Sequence, residues 1–204
     1  MKTRENKTLP YHHGNLRDEL LKAAEQEITD KGIESFSLRS VARRAAVSHN
    51  APAHHFTDVR GMLTALATVG FQRLMRIQKE RMAQAPIGET EQFIALGLGY
   101  IKFATDYPAL FRLMYSSNLP DRNNPQLAEA MEKTLKGLSD KALSATTTEG
   151  KKPPPDLKNL VAAWALVHGF ADLSNSGILS TFLDVIGGSQ EELATEVLKR
   201  LKTG

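Results

Sequence analysis

Between Ser37 and Met62 the sequence concentrates groups that can grip a polyanion. Arg39, Arg43, Arg44 and Arg60 stand against one acid, Asp58, with His49, His54 and His55 among them. Clustered guanidinium groups supply the local positive charge that phosphate contact requires. Asn50 can pair bidentately with adenine, an arginine with guanine, and the Ala51 methyl can meet that of thymine. These are the residue types of a surface that reads a double helix. A second constellation, Trp164, His168 and Asp172, recurs at helical spacing and could set a histidine base against an orienting carboxylate. No nucleophile accompanies it: there is no cysteine, no G-x-S-x-G elbow and no phosphate-cradling glycine loop. A helical histidine beside a tryptophan reads as packed and hydrogen-bonded, so the chain is not read as an enzyme. His12 and His13 are adjacent and would splay apart on a helix; neither a metal site nor a cofactor is expected.

The basic stretch needs a scaffold, and the hydrophobic pattern supplies one. Ser37 is a favourable N-cap for a short helix that turns Leu38, Val41, Ala42 and Ala45 inward and Arg39, Arg43 and Arg44 outward. Ser48 is the expected cap of a second short helix, about 49–55, with Pro52 in its first turn, where a missing N–H costs least. Phe56 plugs the core, and Thr57 or Asp58 caps a long helix over about 59–83. Upstream, Leu16, Leu20, Ala23, Ala24 and Ile28 form the apolar stripe of a helix over 15–31, stopped by Lys31-Gly32. Three helices with a basic outer face make a helix-turn-helix unit, 15–60, preceded by a flexible arm, 1–14. In such a unit the second short helix enters the major groove.

Beyond residue 60 the helical period continues. Helices are expected over 89–106, from Pro108, from Pro125, from Asp156 and over about 190–202; residues 178–186 could continue the one before. The loop 146–155, TTTEGKKPPP, is read from composition. No stretch alternates with period two, so the chain is all-α, about nine helices, with a helical C-terminal unit over 61–204. At 204 residues, 41% hydrophobic, it can bury a sizeable core without staples. The lack of cysteine excludes disulfides, no apolar run approaches a bilayer span, and the polar N-terminus carries no signal core; a cytoplasmic protein is expected.

These residues resemble the TetR-type transcriptional regulators over about 11–66. Ala42-x-x-Ala45-Ala46-Val47-Ser48 and His55-Phe56 follow the family's helix-turn-helix pattern. Tyr11-His12-His13-Gly14, Tyr100-x-x-Phe103-Ala104, Pro108-x-Leu110-Phe111 and Trp164-x-x-x-His168-Gly169 are similar to a branch with a W…HG-bearing C-terminal domain. The resemblance implies a ligand-responsive regulator, a repressor, that binds a palindromic DNA operator as a homodimer. Pairing would run through the helices from 156 and over 190–202, and a small-molecule effector in the C-terminal core would shift the helix over 59–83. Implied DNA contacts are Arg39, Ser48, His49, Asn50, Ala51, His54 and His55. Implied ligand contacts are Phe103, Tyr107, Phe111, Met114, Tyr115, Trp164 and His168. Three positions depart from the family: Ala53 stands for a phosphate-holding tyrosine, Val59 for a lysine and Ala46 for a turn glycine. Arg60, one position past Val59, is expected to replace part of the lost grip. The other reading is a degenerate member, a helical ligand- or protein-binding dimer with weak DNA binding.

Overall fold

The computed structural model describes residues 16–144 and 157–200, with side chains outside 138–144. The expected N-terminal arm, the Asn15 cap and the 146–155 loop lie outside the described residues. Ten helices and no strand are found there: α1 Leu16–Lys31, α2 Leu38–Arg44, α3 Ala51–Phe56, α4 Val59–Gln84, α5 Glu89–Asp106, α6 Pro108–Tyr115, α7 Pro125–Ser144, α8 Leu157–Asn175, α9 Ile178–Ile186 and α10 Gln190–Arg200. No described helix is long and apolar enough to cross a membrane.

Local chemistry sets the ends. Gly32, at φ 79°, donates its N–H to Ile28 O and terminates α1. The Ser37 hydroxyl accepts from Ser40 N at 3.2 Å, and the Asp58 carboxylate from Gly61 N at 2.7 Å. Ser48, expected to cap the second short helix, does not: α3 starts at Ala51 behind Asn50, and Ser48 offers only its carbonyl, to Ala51 N. The reason is Pro52, which fixes the first turn without needing a side-chain acceptor. At the C-terminus, Ser189 and Glu192 form a reciprocal capping box that starts α10.

The count, about nine from the sequence, is ten among the described residues because α9 stands apart from α8. Gly177, at φ 77°, and Gly187, at φ 71°, isolate residues 178–186 as a helix of their own. The core is one contiguous cluster. Leu20, Ile28, Val41, Phe56, Met62 and Leu63 form its N-terminal part, and Leu74, Tyr100, Phe103, Phe111, Met114 and Val167 its C-terminal part. Helix α4 runs through both, 26 residues long, packing on α1 and α3 at one end and on α5, α6 and α7 farther along. It meets α5 almost backbone to backbone: a β-carbon on Gly99 would lie 2.8 Å from Gln78 Cα, so only glycine fits there.

Candidate functional site

The basic surface is built by α2, the turn and α3. Arg39, Arg43, Ser48, His49, Asn50, His54 and His55 are exposed, and Ala51 is half-buried. Pro52 and Phe56 face inward and fix how α3 rolls on the core. The Arg17 guanidinium lies 5.0 Å from the centre of the Phe56 ring, and the His55 ring stands tilted beside it at 6.3 Å. His55 thus lies on the surface beside the buried Phe56. Positive φ occurs in the turn after α2 and at the C-terminal end of α3. Ala46, where the related pattern has glycine, sits at φ 54°. Thr57, at φ 67° and ψ −59°, is the centre of a γ-turn closed by Asp58 N–H to Phe56 O at 2.7 Å. Gly61 takes the Phe56 carbonyl against its Cα; a β-carbon there would overlap that oxygen.

The arginines do different work. Arg44, expected to face outward, turns back to α1: its Nε donates to Glu27 at 3.0 Å and its Nη2 reaches Asp30 at 2.8 Å. Glu27 is 1% exposed and also accepts from Lys31 at 2.7 Å. The Lys31 hydrogen bond, helped by Ser40 and Arg44, outweighs burial and holds that carboxyl down at about 2. Arg39 and Arg43 stay exposed. Arg60 is exposed too, with Nη2 3.6 Å from the Asp121 carboxylate.

A second site lies past the first turns of α4. A cavity of about 160 Å³ is lined by Phe71 and Gln78 of α4, Phe93, Leu96, Gly97 and Tyr100 of α5, Tyr115 of α6, Met131, Thr134 and Leu135 of α7, Trp164 and Val167 of α8, and Arg122. Tyr115 is the hub of the aromatic cluster at its wall: its ring lies 5.6 Å from Phe71, 6.0 Å from Tyr100, 6.2 Å from Trp164 and 5.1 Å from His168. The Tyr100 hydroxyl is 2.8 Å from His168 Nδ1. Burial raises Tyr100 to about 12, pushes Tyr115 well above its ordinary value, and lowers His168. At neutral pH both phenols are protonated and the imidazole is uncharged.

Of the seven expected ligand residues, Tyr115 and Trp164 line this cavity. Phe103, Phe111 and Met114 are fully packed core, His168 stands behind Tyr100, and Tyr107 lies on another side under Arg73, whose guanidinium is 4.4 Å from its ring centre. Along α5 the cavity is lined by Phe93, Leu96, Gly97 and Tyr100, nearer the helix start than the expected Phe103 and Tyr107. Gln78 had a signal in the sequence: a polar residue seven positions after Phe71, on the apolar stripe of α4. Arg122 had none, because it lies in a turn-rich segment whose position only the fold decides.

The segment between α6 and α7 touches both sites. Arg122 donates to Met114 O at 3.1 Å beside the cavity. Its neighbour Asp121 donates its backbone N–H to the Thr64 hydroxyl at 2.8 Å, and that hydroxyl donates to Arg60 O at 2.7 Å. Two consecutive residues thus join the cavity wall to the first turns of α4.

Comparisons with known proteins agree with this layout. Residues 20–66 match the family described as bacterial regulatory proteins, tetR family, and 93–201 match the tetracyclin repressor-like C-terminal domain. The structure is similar to that of a protein of unknown function from Rhodococcus sp. RHA1, at 31% identity and TM-score 0.81, covering 97% of this chain and 98% of that one. It shares its fold with the TetR family transcriptional regulator PfmR from Thermus thermophilus, at 14% identity and TM-score 0.64, covering 91% and 97% of the two chains. The same holds for the TetR-like transcriptional regulator LfrR from Mycobacterium smegmatis in complex with proflavine, at 16% identity and TM-score 0.63, covering 94% and 96%. No curated protein matches the chain in sequence.

Proposed function

The chain belongs to the TetR family of bacterial regulatory proteins, and on that premise we propose that it is a cytoplasmic repressor that binds a palindromic operator as a homodimer and leaves it when a small molecule fills the cavity. The family makes it a transcription regulator and not an enzyme. One observation carries the ligand-responsive part: α4 holds the helix-turn-helix at Val59–Gly61 and walls the cavity at Phe71 and Gln78. What displaces the wall displaces the reading head.

In this reading, His49, Asn50, Ala51 and His54 face base edges. Arg39 reaches a base or phosphate, while Ser48, His55 and Arg60 serve the backbone. Domain limits follow the same logic, 15–60 for reading and 61–204 for ligand and dimer. The dimer surface is α8 with α9 rather than α8 with the 190–202 helix. Helix α10 spends its apolar face on its own chain, with Ala194 and Leu198 each 1% exposed, and Arg81 forks onto Glu191 at 2.9 and 2.8 Å. Helices α8 and α9 instead expose Val161, Ile178, Phe182, Val185 and Ile186, an apolar surface that asks for a partner.

Fluorescence anisotropy against DNA flanking the protein's own gene, at two salt concentrations, tests the reading. Saturable, sequence-dependent binding is expected, and Arg60→Ala should weaken it and flatten the salt slope by about one unit. Ala53 and Val59, the one exposed and the other half-buried, favour the alternative of a dimer with weak DNA binding. Binding no tighter to flanking than to random DNA would decide for it.

A further inference from the structure

We propose that the cavity takes a single-ring aromatic carboxylate, its ring among Phe71, Phe93, Tyr115 and Trp164 and its carboxylate on the Arg122 guanidinium. This rests on the reading of the chain as a ligand-responsive regulator and names the ligand class that reading leaves open.

Size decides first. A cavity of roughly 150 Å³ accepts benzene, whereas drug-sized ligands occupy about 300–1,000 Å³. At about 160 Å³ this one has room for one ring and a small substituent. Charge decides next. Among the described lining residues Arg122 is the sole charged side chain, and no carboxylate faces it across the cavity. Tyr100 and Tyr115 are protonated phenols, so the described lining residues include no compensating anion. Aromatic walls can also hold a cation by their ring faces, but here that cation would meet a guanidinium with no acid to offset it. A carboxylate instead gains a charge-assisted hydrogen bond.

The guanidinium has capacity for it. Of its five N–H groups, one serves Met114 O at 3.1 Å and one faces the Met131 thioether at 4.0 Å. Arg122 is exposed and Met131 lines the cavity with it, so the guanidinium Nη1 stands beside a wall residue. Binding there also has a route onward. An anion that draws Arg122 inward pulls on Asp121, whose N–H holds Thr64 and whose carboxylate holds Arg60.

Trp164 is the chain's one tryptophan and lines the cavity, so its fluorescence reports occupancy in the full-length protein. Titration with benzoate, benzyl alcohol and benzylamine compares one ring with an anionic, a neutral and a cationic substituent. Benzoate should bind at least about tenfold more tightly than benzyl alcohol, and benzylamine more weakly than either. Arg122→Gln should weaken benzoate about tenfold or more and leave benzyl alcohol within about twofold; Arg122→Lys should retain part of the preference. Equal affinity for benzoate and benzyl alcohol, tighter benzylamine, or unchanged benzoate binding by Arg122→Gln overturns the proposal. The wild-type comparison stands even where a variant fails to fold. Anisotropy on the flanking DNA separates the two readings. Benzoate binding without operator binding refutes the operator-binding repressor and keeps the ligand class, whereas DNA binding with no benzoate preference does the reverse.

Discussion

Ala46 and Thr57 bracket α3 with left-handed backbone that side chains disfavour. Holding an alanine there costs about 1–2 kcal/mol, and glycine returns part of the gain through its freer unfolded chain. Ala46→Gly should therefore stabilise the protein by roughly 0.5–1 kcal/mol, seen as a higher Tm in thermal unfolding; no change would mean the turn relaxes without cost. The substitution was readable in the sequence, since the related pattern has glycine at that position. Glu27 was not readable. Its burial depends on Arg44, 17 residues away, as well as on Lys31 one helical turn along. Its carboxyl sits at about 2 in the folded protein against an ordinary 4.5. That difference favours the folded state above about pH 4.5 and fades as pH falls toward 2. Acid titration followed by circular dichroism should show stability dropping through this window, with a shallower drop in Glu27→Gln.

At the scale of elements, most boundaries follow from local rules. Ser37, Asp58, Gly32 and Pro108 each start or stop a helix where the sequence says they should. What local rules miss is which face each helix turns to which neighbour. Helix α10 has a good apolar stripe, yet that stripe is spent on α5, where Leu198 packs over Gly97. Helix α9 reads in sequence as a stretch that could continue α8, and it proves to be the more exposed apolar surface. Tyr100 and Phe103 both belong to the apolar set of α5, but only Tyr100 lines the cavity and Phe103 is packed core. The α4–α5 contact is tight enough to test. Gly99→Ala would push a β-carbon against Gln78 Cα, and should cost about 1–3 kcal/mol in denaturant unfolding. A neutral result would show that the two helices can separate freely.

For the whole molecule, the proposed dimer makes the sharpest demand. Phe182 and Val185 are 56% and 82% exposed, so Phe182→Asp with Val185→Asp should leave the protomer folded. Sedimentation should then report a monomer, and operator affinity should fall by about a hundredfold or more as two-headed binding is lost. A double variant that stays dimeric would move the interface elsewhere. The length of α4 sets the scale of the response. From Gln78 to Val59 is 19 residues, or about 28 Å at 1.5 Å per residue. A tilt of about 5° around Gln78 then carries the α3 end through roughly 2.5 Å. Opposed in two protomers, that is about 5 Å, more than the ~3.4 Å step of one base pair. In the proposed mechanism α4 acts as a rigid arm pivoted beside the cavity, so a ligand need only shift the wall by the width of a loose contact to put the two reading heads out of step with the groove.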